Sequence, residues 1–127
     1  MKTVLVAGGF DPVHAGHIEY FREARRLGDQ LVVAIHSDAW LERNVGKVLM
    51  PRYDRSIIIE NLKMVDSIIV LFNDSDDTAI DAIKHAQMRY PDDEIIFAIN
   101  SDSTTTTIPE MIVPNILFKF GVGKEVD

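Results

Sequence analysis

Five short apolar runs punctuate the chain, at 3–7, 31–36, 67–72, 94–99 and 115–120. Each is rich in Val, Ile, Leu or Phe, and none alternates apolar with polar residues as a half-exposed strand would. Continuous runs of this length predict strands covered on both faces. Between them the apolar period lengthens to that of helices: 15–27, closed by Gly28; 52–64, with Ile58, Leu62 and Val65 at helical spacing; and 78–89, with Ile80, Ile83 and Ala86. Strands alternating with helices imply parallel βαβ units with right-handed crossovers. The expected fold is therefore α/β, a Rossmann-like doubly wound parallel sheet of five strands in a single domain, 1–127. Ligands of such sheets sit at the carboxyl ends of the strands where the winding reverses, usually at the turn after the first strand.

That turn reads Gly8-Gly9-Phe10-Asp11-Pro12-Val13-His14-Ala15-Gly16-His17. Gly8 and Gly9 let the backbone turn sharply and approach a ligand, and Gly16 removes the side chain that would crowd His14 against His17. A helix is expected to open at Asp11-Pro12 or a turn later near Gly16, so its unpaired N–H groups face the same space as the imidazoles. This is a phosphate-handling arrangement. Two His at i and i+3 also suit a metal, but the chain has no Cys and no nearby third His, so no metal site is expected.

Composition narrows the partners. The 127 residues fit one domain, and 46% apolar content suffices for one core. No run reaches the length of a membrane span, and Met1-Lys2-Thr3 leads straight into a strand, so no membrane partner is expected and a cytoplasmic location is. The absence of cysteine fits a reducing compartment. A net charge of −7 argues against nucleic acid, whose backbone needs a basic face. The charge is uneven, however: residues 1–63 carry nine Lys/Arg and eight Asp/Glu, whereas 64–127 carry four and twelve. An anionic ligand should prefer the first half, where Arg43, Lys47, Arg52 and Arg55 cluster in an expected loop around Gly46 and Pro51. Alone, that cluster reads as a solvated surface; beside the histidine turn it reads as a second phosphate clamp. His36 and His85 read as ordinary polar positions, Trp40 as a packing residue, and Asp38 as an N-cap or a ligand contact. The Ser103–Thr107 run reads first as a polar loop.

The turn resembles the His-x-Gly-His signature of the cytidylyltransferase-like nucleotidyltransferases, which include glycerol-3-phosphate cytidylyltransferases and heptose-1-phosphate adenylyltransferases. Arg25 to Ala34, Ser37-Asp38, Gly46-Lys47, Arg55 and Lys63-Met64-Val65-Asp66 follow in that family's order and approximate spacing. The resemblance implies transfer of CMP or AMP from CTP or ATP to a small phosphorylated sugar or polyol, with Mg²⁺ accompanying the triphosphate and a homodimer as the assembly. It implies catalytic roles for His14, His17 and Lys47. Nucleotide contacts are implied for Gly8, Gly9, Phe10, Gly16, Asn100 and Asp102, and substrate contacts for Asp11, Asp38, Arg55 and Lys63. One departure stands out. The family's Ser/Thr-rich turn after the fifth strand has no counterpart in Phe118 to Asp127, although Lys124 and Thr104 to Thr107 offer substitute donors. The domain is accordingly read as short at its C-terminal end, and the alternative function is a non-catalytic nucleotide-binding or assembly module.

Overall fold

Successive residues of the first apolar run go to opposite sides of a sheet. Val4 and Val6 join one buried cluster, Leu5 another. In the computed structural model, which describes residues 1–71, 78–100, 110 and 113–123, the elements are β1 (Lys2–Gly8), α1 (Ala15–Arg25), β2 (Gln30–Ile35), α2 (Asp38–Asn44), α3 (Arg52–Glu60), β3 (Ser67–Val70), α4 (Ile80–Arg89), β4 (Glu94–Ala98) and β5 (Ile116–Lys119). All five expected strands form and pair in parallel, in the order β3-β2-β1-β4-β5. Phe21 and Ala24 of α1 and Ile59 of α3 cover one face with Val33 and Ile35; Ala82, Ile83 and Ala86 of α4 cover the other with Val32 and Ala34. In β1, β2 and β4 the apolar runs are continuous because both faces are buried; the edge strand β5 departs from that expectation, one of its faces exposing Leu117 and Lys119 because no element covers it among the described residues. The fold is the expected Rossmann-like α/β sheet, and its winding reverses between β1 and β4.

Helix boundaries differ from the sequence expectation where the chain must turn. α1 stops at Arg25 and not 27, because Asp29 N bonds Lys2 O and the Arg25 guanidinium donates to Gly28 O. Gly28 is needed for space, since a Cβ there would stand 2.8 Å from Lys2 O. α3 ends at Glu60 and not 64: Leu62 N bonds Ile59 O and Val65 N bonds Leu62 O in tight turns, after which Asp66 Oδ2 accepts from Leu31 N and starts β3 in register. α4 begins at Ile80 and not 78; Thr78 Oγ1 accepts from Ile80 N. The stretch expected as a loop from Arg43 onward is partly helical. Ser37 Oγ caps α2 by accepting from Trp40 N, and this places Asp38 inside the helix, not at its cap.

Candidate functional site

His14 is the N-cap of α1, so the later of the two expected helix starts is the one observed. Its Nδ1 accepts from Gly16 N at 3.0 Å, while His17 Nδ1 accepts from His14 N at 3.2 Å. This reciprocal box satisfies two N–H groups that the helix end would leave orphaned. It also decides a question of chemistry. With each Nδ1 serving as acceptor, the proton of each neutral ring resides on Nε2, so both imidazoles keep an Nε2–H to donate. The rings stack with centroids 3.9 Å apart. Burial, and then His14, push the His17 pKa down from 6.5 to about 4, so His17 is neutral near pH 7.

The glycines act through space. A Cβ on Gly16 would lie 2.9 Å from His14 Cε1, which bears out the crowding argument from sequence. Gly8 and Gly9 are not at positive φ; the left-handed residue of the turn is Phe10, at φ 52°. A Cβ on Gly8 would meet the Phe10 ring at 2.8 Å, and one on Gly9 would meet Leu41 Cδ2 at 2.7 Å. Phe10 itself is buried, edge-on to His17 and Phe21, and so shapes the turn from behind.

Three residues expected to hold substrate are placed otherwise. Arg55 has no exposed surface. Its Nε donates to Met50 O (2.9 Å), Nη1 to Gly9 O (2.7 Å) and His36 O (2.8 Å), and Nη2 to Asp38 Oδ1 (2.5 Å). It is a buried post tying the β1 and β2 ends to α3, not an open anion clamp. Asp11 accepts from Leu49 N (2.7 Å) and Met50 N (2.5 Å), one oxygen each. Lys63 follows α3 at the amino edge of the sheet, opposite the histidine turn, because α3 runs antiparallel to the strands and the chain is about to enter β3. Asp38 keeps a place near the site, accepting also from Arg52 N, with its side chain 43% exposed. Lys47 is exposed in the connection from α2 to α3.

Beside the turn, at the carboxyl ends of β1, β2 and β4, lies a cleft of about 380 Å³. Its wall includes Gly8, Tyr20, His36, Trp40, Phe97 and Asn100. Asn100 Nδ2 donates to Val122 O, joining the end of β4 to the chain after β5. Tyr20, one turn beyond His17 on α1, donates its hydroxyl to Ala98 O, and burial raises its pKa well above the ordinary range. His36 is no ordinary polar position. It is buried and stacks on Trp40 at 4.2 Å and 9°, forming one cleft wall. Glu110 Oε2 accepts from Ala79 N just before α4. Sequence reasoning missed Tyr20, His36, Trp40 and Glu110 as site residues; only Tyr20 carried a signal, its i+3 spacing from His17. Asp102, Thr104 to Thr107 and Lys124 lie outside the described residues.

Among the described residues no cluster of three or more His, Cys, Asp or Glu is placed to hold a metal, and no helix is long and apolar enough to cross a membrane.

A family model described as "Cytidylyltransferase-like" matches residues 5–119. The bifunctional protein HldE of Cronobacter sakazakii is 38% identical over 84 residues, 65% of this chain and 18% of that protein. The FAD synthase of Aciduliprofundum boonei is 41% identical over 70 residues, 55% of this chain and 47% of that one. The chain thus spans less than half the length of these curated relatives. A solved lipopolysaccharide core biosynthesis protein from Thermoplasma volcanium superposes with TM-score 0.67 at 26% identity, covering 94% of this chain and 93% of that one.

Proposed function

Because the chain belongs to the cytidylyltransferase-like family, we propose that it is a nucleotidyltransferase that moves CMP or AMP from CTP or ATP to a small phosphorylated sugar or polyol, such as glycerol 3-phosphate or heptose 1-phosphate. The observation that carries this reading is the reciprocal cap of His14 and His17, which commits both Nδ1 atoms to backbone and reserves both Nε2–H groups for a ligand. N–H donors at the helix N-terminus suit phosphate oxygens.

In the reaction a phosphate oxygen of the acceptor attacks the α-phosphorus, the bond to the bridging oxygen breaks, and pyrophosphate leaves. A phosphate monoester has its second pKa at about 6, so it is already a dianion and needs no strong general base. The work left to the protein is to hold two repelling anions in line and to stabilise charge on the transferring group. His14 and His17 donate to phosphate oxygens, and Lys47 bridges acceptor and α-phosphate. Gly8, Gly9 and Gly16 provide close approach, Asn100 and Asp102 meet the nucleoside, and Asp38 faces the acceptor. Mg²⁺ arrives with the triphosphate as part of the substrate. A homodimer in the cytoplasm completes the reading.

The test is titration of MgATP and MgCTP into the wild type and His17→Ala. Binding of one triphosphate, lost in the variant, supports the reading; acceptor phosphates are then screened by pyrophosphate release. A folded wild type that binds neither refutes it.

A further inference from the structure

An acid three residues before His14 is out of place in a site for anions, because a carboxylate beside a triphosphate is repelled. The hydrogen bonds of Asp11 resolve this. Both of its oxygens are spent on adjacent backbone amides, Leu49 N at 2.7 Å and Met50 N at 2.5 Å. Met50 is gripped a second time through its carbonyl, which accepts Arg55 Nε, and two residues on Arg52 N donates to Asp38. Upstream, α2 closes with Val45 N and Gly46 N both bonded to Leu41 O. Gly46, at φ 101° with open space around it, turns the chain away. Between the Gly46 anchor and the Leu49 anchor only Lys47 and Val48 remain.

Three Cα steps span at most about 11 Å. The backbone of Lys47 is therefore tethered on both sides, and the downstream tether is a carboxylate of the histidine turn itself. From this we infer that Asp11 is a positioning residue: it touches no substrate, and latches the segment bearing Lys47 to the turn bearing His14 and His17, so that cation and imidazoles move as one unit. The inference rests on the nucleotidyl-transfer reading. It requires a carboxylate specifically, since the two amides both donate and an Asn would accept only one of them while turning its NH₂ against the other.

Two measurements test it. Amide exchange at Leu49 and Met50 in the free chain is expected to quicken at least tenfold in Asp11→Asn. MgATP and MgCTP are titrated into Asp11→Asn, Lys47→Ala and the double variant. Each single change is expected to weaken the triphosphate bound by wild type about tenfold, and the double variant to be no weaker than Lys47→Ala, because the latch acts only through that lysine. Unchanged exchange overturns the latch. A multiplicative loss of about a hundredfold in the double variant also overturns it, since Asp11 then acts apart from Lys47. A wild type that takes neither triphosphate removes the nucleotidyl-transfer reading and the positioning role with it, even where exchange still shows the two amide bonds.

Discussion

Replacing Arg55 by Met separates a buried post from an anion clamp. Met keeps most of the volume and removes the fork, leaving the carbonyls of Gly9, His36 and Met50 without that donor and Asp38 Oδ1 with only the Arg52 amide. Three stranded carbonyls cost about 1 kcal/mol each. The ion pair adds about 1 kcal/mol more, because Asp38 is 43% exposed and water replaces part of what it loses. The sum is about 4 kcal/mol, a large share of the roughly 5–15 kcal/mol that holds a domain together. With a urea slope of about 2 kcal/mol/M, the unfolding midpoint should fall by about 2 M. Arg55→Lys, which keeps charge but not the planar fork, should fall by about half as much. Urea unfolding followed by circular dichroism reads both variants, and triphosphate titration under folding conditions accompanies it. A midpoint within about 0.5 M of wild type, combined with a tenfold loss of triphosphate affinity, would refute the reasoning and return Arg55 to the ligand.

Gly16→Ala places a methyl 2.9 Å from His14 Cε1, so triphosphate affinity should drop at least tenfold by calorimetry, while stability stays within about 1 kcal/mol because the position is helical. Lys63→Ala, at the opposite edge of the sheet, should leave triphosphate affinity unchanged within twofold. The lowered pKa of His17 makes stability depend on pH. Between its unfolded value of 6.5 and its folded value of about 4 the unfolded chain binds the extra proton, so stability is full above pH 6.5 and declines as pH falls towards 4. The loss should be about 1–2 kcal/mol, solvent screening at a half-buried ring having reduced it. Urea midpoints at pH 7.5 and 4.5 should show it in wild type and not in His17→Ala.

The strands, their parallel pairing and the turn that carries the histidines are all readable from residues near one another in the chain. A run such as Leu31 to Ile35 has one stable use, a strand buried on both faces, and Gly16 between two histidines has one steric meaning. Spacing even anticipated the convergence of His14 and His17, because a single helical turn produces it. What sequence could not decide is how charged groups spend their hydrogen bonds. The family resemblance made Arg55 and Asp11 ligand contacts, yet their partners, Gly9 and His36 for the one and Leu49 and Met50 for the other, lie 19 to 46 positions away. Lys63 looked like a phosphate ligand until the direction of α3 carried it to the far edge of the sheet. His36 and Trp40 became a cleft wall only when β2 delivered them beside Gly8. Local periodicity sets which face of an element is apolar, and the chain states that outright. Which long-range backbone groups need a donor or acceptor depends on which ends the sheet brings together, and only the folded chain decides that.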